Sequence, residues 1–177
     1  MELTRIARRA RLLAGATLAL MIAIPCAALG VLATGGADAA ALRTAYGIAR
    51  MPDDPGAGPI MIWLGVEALR MGLVLWVLWC VRGWLMACAR GHVFARPTAR
   101  QIQRIGTGLL TLALAQIVGN TAIIAALTWN NPPGQRVLSI TFGSAEVFLI
   151  LAAGLLSLFG WIQAEAARLS AENEGFV

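Results

Sequence analysis

The sequence lacks the residue patterns that most enzymes use for catalysis. It has no lysine and a single histidine, and it contains no HExxH, GxSxG, CxxC or P-loop motif. The segment 106–111 starts like a dinucleotide-binding fingerprint but lacks the last glycine. His92, next to Arg90 and Gly91, is most simply a solvated loop residue. We therefore expect no enzyme, no cofactor and no metal site.

Cysteine pairs are also missing. Cys26, Cys80 and Cys88 stand at non-motif spacing and are odd in number. This excludes a disulfide framework and a zinc site, and it favours free thiols that serve as small apolar residues.

Charge is scarce, since only 13% of the 177 residues are charged and 59% are hydrophobic. This is not the composition of a soluble domain. Four segments are long enough to cross about 30 Å of hydrocarbon as helices. They are residues 12–32, 60–81, 105–127 and 142–162. Because they are apolar on all sides, the sequence predicts an all-α polytopic membrane protein, a single domain built as a four-transmembrane-helix bundle.

The segments between these spans form the predicted loops. Residues 35–59 and 130–141 are expected to be exported, whereas the loop 82–104 and the tail 163–177 are expected in the cytoplasm. In the first exported loop, the spacing of Leu42, Tyr46 and Ala49 permits a short helix on the outer membrane surface.

The arginines are distributed unevenly along the chain. All fourteen cations are arginine: ten flank the predicted cytoplasmic side, three lie in exported segments and Arg70 lies in a span. Because basic residues accumulate in cytoplasmic loops, both termini are predicted in the cytoplasm of a bacterial inner (plasma) membrane. The same pattern indicates membrane topology, with the lipid bilayer as partner, rather than direct nucleic-acid binding.

The N-terminus has two interpretations. Basic residues, an apolar run and the small-residue sequence Ala37-Asp38-Ala39 together resemble a cleaved signal peptide. The apolar run exceeds the usual length of a signal-peptide core, which favours a retained anchor.

Five polar side chains are predicted at comparable depth in the spans, where they can form one cluster: Glu67, Arg70, Gln116, Asn120 and Glu146. Glu67 and Arg70 are three residues apart on one helical face, which favours an internal ion pair. The alternative is a proton or ion pathway, as in a small transporter or channel subunit.

Stripes of small residues predict close helix packing. One lies on the first span and one on the third: Gly15, Ala19, Ala23 and Ala27, then Thr107, Thr111, Ala115 and Gly119. They favour a compact bundle and are compatible with a homo-oligomer.

Arg96, Arg100 and Arg104 recur every four residues in the predicted cytoplasmic loop. Such a stripe either meets anionic lipid headgroups or docks an acidic cytosolic partner.

Two segments resemble a known family. Gly91-His92-Val93-Phe94 is followed by 102–106 (IQRIG), and the acidic tail contains 165–174 (EAARLSAENE). This layout is similar to that of the bacterial membrane proteins grouped as domain of unknown function 2975. The resemblance implies four spans, no established activity and, in many members, a gene beside a small helix-turn-helix regulator. The first exported loop is not covered by it.

These observations favour a regulatory or scaffolding role, as a membrane partner of a cytosolic helix-turn-helix regulator. A small transporter or channel subunit that uses Glu67 and Arg70 is the alternative, and a membrane-bound enzyme comes third.

Overall fold

The computed structural model describes residues 2–36, 38–49, 51–91, 96–132 and 134–174, and these form five helices and no strand. The helices are α1 (Glu2–Ala33), α2 (Ala39–Tyr46), α3 (Ala57–Ala89), α4 (Arg96–Leu127) and α5 (Ser144–Glu174). The predicted all-α architecture with four long apolar helices is confirmed.

The four long helices are long and apolar enough to cross a membrane. Their most apolar stretches have mean hydropathies between 1.8 and 2.3. Large apolar side chains also cover their outer surfaces; on α5, Phe148, Leu151 and Leu155 are each more than half exposed. A continuous apolar surface of this kind is unfavourable in water and normal against lipid. The chain therefore has the architecture of a multi-pass membrane protein.

The main helix contacts follow the order of the chain, with α1 against α3, α3 against α4, and α4 against α5. Helices α3, α4 and α5 alternate in direction. We call the end that carries the α3–α4 connection and the C-terminus of α5 the basic end. The opposite end, which carries α2 and the α4–α5 connection, is called the loop end.

Close backbone contact joins α4 to α5. A Cβ atom on Gly106 would lie 2.9 Å from the carbonyl oxygen of Ala153, and one on Gly160 would lie 3.1 Å from the backbone nitrogen of Gln103. Glycine at these two positions lets the helix backbones approach, as small residues do between helices in lipid.

The prediction that the small-residue stripe is the packing face of α1 is wrong. Gly15, Ala19, Ala23 and Ala27 are all exposed, and a Cβ on Gly15 would meet nothing within 4 Å. The buried side chains of the helix are instead Ala10 and Ala14. An apolar helix surrounded by lipid carries no polar face to indicate which side packs, so small size alone pointed to the wrong side.

The connections between the long helices are short, because the helices continue beyond the predicted apolar spans. The predicted loop 82–104 is helical up to Ala89 and again from Arg96. Between them Gly91 has φ +83°, a conformation that suits glycine just after a helix end. His92 lies outside the described residues.

Candidate functional site

An ion pair lies inside the bundle on the face of α3 that meets α4. Arg70 donates from Nη1 to Glu67 Oε1 at 2.7 Å. The two residues are three apart and therefore share a helical face. The Arg70 side chain is 14% exposed and that of Glu67 is 39% exposed. The pair lies roughly 15–20 Å along α3 from its first residue, counted at 1.5 Å per residue.

The other terminal nitrogen of Arg70 reaches α4. Arg70 Nη2 donates to the Asn120 side-chain oxygen at 2.8 Å and to the Gln116 backbone carbonyl at 3.1 Å. Gly119 makes this approach possible, because a Cβ there would lie 2.6 Å from Nη2. Arg70 thus joins α3 to α4 through charge-assisted hydrogen bonds.

Two aromatic residues extend the network to α2, and the sequence did not place either of them in it. Tyr46 donates from its hydroxyl to Glu67 Oε1 at 2.9 Å and accepts from Trp63 Nε1 at 3.0 Å. Burial, together with the hydrogen bond to Glu67, raises the pKa of Tyr46 to about 12. The hydroxyl therefore stays protonated and continues to donate over the whole physiological range.

An apolar cluster surrounds this aromatic pair at the loop end. Its buried members come from α2, the segment after it, α3 and the end of α4: Leu42, Ile48, Met51, Trp63, Ile123, Ile124 and Leu127. The short helix that the spacing of Leu42 and Tyr46 permits is present as α2, and its apolar side chains pack into this cluster with those of α3 and α4. Arg43 fixes the following segment by donating to Asp53 Oδ1 at 2.7 Å and to the Met51 carbonyl.

Glu146 has a different role from Glu67, Arg70 and Asn120, which Gln116 joins through its backbone carbonyl. It is 7% exposed, and its Oε2 accepts a hydrogen bond from the backbone N–H of Gly143 at 2.8 Å. It thus occupies the third position of α5 and reaches back to the residue before the helix, as the glutamate of a capping box does. Within the described residues, no ion pair or hydrogen bond joins Glu146 to the Arg70 network.

The resulting site is a connected set of contacts, in which Arg70 Nε is buried without a hydrogen-bond partner among the described residues. We call Tyr46, Trp63, Glu67, Arg70 and Asn120 the polar clamp. Both terminal nitrogens of Arg70 and the Oε1 atom of Glu67 have protein partners, which lowers the cost of holding charge in hydrocarbon. In the described part of the chain, no group of three or more histidine, cysteine, aspartate or glutamate residues could hold a metal ion. The contacts of the polar clamp join three helices, α2, α3 and α4.

The second predicted site, the arginine stripe, lies on the first turns of α4 at the basic end. Arg100 and Arg104 are exposed. Arg96 begins the helix, but its side chain lies outside the described part of the structure. The exposed pair is four residues apart and therefore projects from one side of the helix.

Comparison with known proteins gives no matching family model, no matching curated protein and no matching solved structure.

Proposed function

We propose that the chain is a membrane scaffold that holds an acidic segment of a cytosolic protein on its basic end. The basic end then faces the cytoplasm, in agreement with the distribution of arginines. Both termini lie on that side of a bacterial inner membrane.

One observation carries this proposal: at the basic end the long helices continue beyond the spans that the sequence predicts. The overrunning segments of α3, α4 and α5 are residues 82–89, 96–104 and 163–174. At 1.5 Å per residue they project roughly 12–18 Å beyond the spans. At the loop end, by contrast, α4 stops at Leu127, where its span ends. A protein that only crossed the membrane has no need of this one-sided projection.

The projecting helices carry the charge that an acidic partner needs. Arg100 and Arg104 are exposed on α4. Helix α1, crossing opposite to α3, adds the exposed Arg8, Arg9 and Arg11 on the same side. Single exposed ion pairs contribute at most about 1 kcal/mol, so recognition requires several arginines held together by rigid helices. The resemblance to domain of unknown function 2975 supplies a candidate partner, a small helix-turn-helix regulator.

The alternative of a small transporter rests on Glu67 and Arg70. The contacts that the pair makes with Tyr46 and Asn120 favour a structural role. A transporter predicts that Glu67→Gln abolishes a flux while the protein still inserts in the membrane.

Affinity purification with quantitative mass spectrometry tests the scaffold. The full chain is purified in mild detergent from its host as wild type, as the Arg100→Gln/Arg104→Gln double variant and as Arg136→Gln. The last is the control, because Arg136 lies at the loop end, 5.3 Å above the ring of Trp129. We expect a cytosolic protein with an acidic segment to co-purify with wild type and Arg136→Gln and to fall at least about tenfold with the double variant, as when about 1.4 kcal/mol of binding is lost. Equal recovery with all three chains, or no associated protein at moderate salt, would contradict the proposal.

A further inference from the structure

A cleft at the loop end lies between the segment that follows α2 and the segment that precedes α5. Its volume is about 400 Å³, within the range of small-molecule sites. One wall comes from residues 46–49 and the other from the stretch 134–141, and Ile124 of α4 lies between them. Ile48 and Ile124 are buried, so the cleft has an apolar base. Of the polar clamp, only Tyr46 lines this cleft.

The side chains of the segment before α5 alternate between two sides. Val137, Ser139 and Thr141 line the cleft. Leu138 and Ile140, which lie between them, do not line it and are 77% and 74% exposed. This alternation is that of an extended chain. It brings two hydroxyl groups to the cleft and turns the larger apolar side chains away from it.

This wall is fixed to the end of α4 by hydrogen bonds. The buried Thr128 accepts at Oγ1 from the Val137 backbone N–H at 3.1 Å. Asn131 Nδ2 donates to the Gln135 carbonyl at 3.1 Å. Both contacts hold the backbone on either side of Arg136, so the shape of the cleft is formed before any ligand enters.

Arg136 is the one charged residue that lines the cleft. Its Cζ lies 5.3 Å from the centroid of the Trp129 ring, and its Nε donates a long hydrogen bond of 3.5 Å to the Asn131 carbonyl. These two contacts orient the guanidinium without using its terminal nitrogens. Two guanidinium N–H groups match the two oxygens of a carboxylate, which is the arrangement that arginine uses to bind carboxylates in pairs of hydrogen bonds.

We propose that the cleft binds a small organic carboxylate with an apolar body. The carboxylate pairs with the terminal nitrogens of Arg136, and the apolar body packs on Ile48 and Ile124. The hydroxyls of Ser139 and Thr141 bond to the remaining polar atoms of the ligand. Because the lining carries a single positive charge, it suits a monoanion better than a doubly charged phosphate ester.

In the orientation proposed above, the cleft opens outside the cell. Binding itself depends neither on that orientation nor on a partner at the basic end, so the two proposals can fail separately.

Isothermal titration calorimetry of the purified full chain in detergent, with protein-free micelles as the blank, tests the site. The probes are benzoate, phenylacetate and 3-phenylpropionate, which share a carboxylate and differ in length. Benzyl alcohol, benzylamine and phenyl phosphate keep the ring and change the charged group.

The variants separate the charge of the cleft from its space. Arg136→Gln removes the charge, and Arg100→Gln at the basic end is its control. Ser139→Phe fills the cleft, whereas Leu138→Phe enlarges the neighbouring side chain that points away from it. Thr141→Phe is a second filling variant for use if Ser139→Phe fails to fold, as judged by circular dichroism.

We expect wild type, Arg100→Gln and Leu138→Phe to bind at least one of the carboxylates with a Kd below about 1 mM. Arg136→Gln should weaken this binding at least about tenfold, because it removes hydrogen bonds to a charged group. The filling variants should abolish it. Failure of wild type to bind any of the three carboxylates, or equal binding by wild type and a folded filling variant, would overturn the site. Equal or tighter binding of the alcohol, the amine or the phosphate would overturn the assignment of a carboxylate.

Discussion

Arg70 uses its two terminal nitrogens on different helices. Nη1 pairs with Glu67 of its own helix, and Nη2 bonds Asn120 on α4. Arg70→Met would therefore leave the Glu67 carboxylate without its counter-ion in an apolar environment. Removing one partner of a buried pair usually costs about 3–5 kcal/mol, and the 39% exposure of Glu67 places the expected loss at about 2–4 kcal/mol.

Unfolding of the purified protein by a denaturing detergent measures this loss. The control is the Glu67→Gln/Arg70→Met double variant, which removes both charges and should be more stable than Arg70→Met alone. A double variant that is no more stable than the single one would show that the two charges do not interact.

Tyr46 is the one tyrosine of the chain, so its titration can be followed alone. Its pKa is raised from 10.0 to about 12, first by burial and then by the hydrogen bond to Glu67. Since the folded value is the higher one, the protonated hydroxyl contributes stability that is complete below about pH 10 and is lost as pH rises through about 12.

Absorbance of the phenolate in the near ultraviolet checks this expectation. The folded protein should titrate near 12, and the denatured chain near 10. A folded protein that titrates near 10 would mean that Tyr46 is neither buried nor hydrogen-bonded to Glu67.

Among the individual residues of the polar clamp, the sequence predicted some and not others. Glu67 and Arg70 were identifiable because charges three residues apart in an apolar span tend to pair. Tyr46 and Trp63 were not, because Tyr46 is 21 residues from Glu67 and lies on another helix. Such a contact depends on how α2 folds back, which no local pattern encodes.

At the scale of single helices, Glu146 sets the start of α5. Its Oε2 satisfies the Gly143 N–H, and its charge lies near the positive end of the helix. Glu146→Ala should destabilise this first turn by about 0.5–2 kcal/mol, whereas Glu146→Gln keeps an acceptor and should lose less. Hydrogen exchange of the amides from 143 to 147 is the measurement, and unchanged exchange in Glu146→Ala would refute the capping role.

Contact between α3 and α4 depends on Gly119. A Cβ there would lie 2.6 Å from Arg70 Nη2 and 2.7 Å from Val66 Cγ1. Gly119→Ala should therefore displace the guanidinium and cost about 1–3 kcal/mol, the usual range for an overpacked site.

Gly72→Ala on α3 is the control, because a Cβ there meets nothing within 4 Å. It should be neutral or stabilising by up to about 1 kcal/mol through helix propensity. Thermal unfolding in detergent compares the two variants, and equal stability would contradict the close approach.

The sequence predicts that the long helices form, but it does not predict which side of each helix packs against the others. The four long helices were predictable because hydrocarbon demands long apolar stretches with satisfied backbones. The side on which α1 packs was not, since all its sides are apolar. The depth of Glu146 in its span predicts a cluster member, whereas its place three residues after Gly143 fits a helix cap.

Across the molecule, the two ends of the bundle have different structures. At the loop end, α2 and the following segment close over α3 and α4 through the polar clamp and an apolar cluster. At the basic end the helices continue past their spans with exposed arginines. A closed end and a projecting end suit a scaffold whose partners lie on one side of a membrane.

The scaffold requires that the basic end face the cytoplasm and the loop end face outward, and labelling of single cysteines in intact cells determines this orientation. With Cys26, Cys80 and Cys88 replaced by alanine, one cysteine is placed at Leu138 at the loop end or at Leu169 at the basic end, both exposed. A membrane-impermeant maleimide added outside should label Leu138→Cys at once and Leu169→Cys only after the membrane is permeabilised. Labelling of Leu169→Cys in intact cells, with Leu138→Cys protected, would contradict the account.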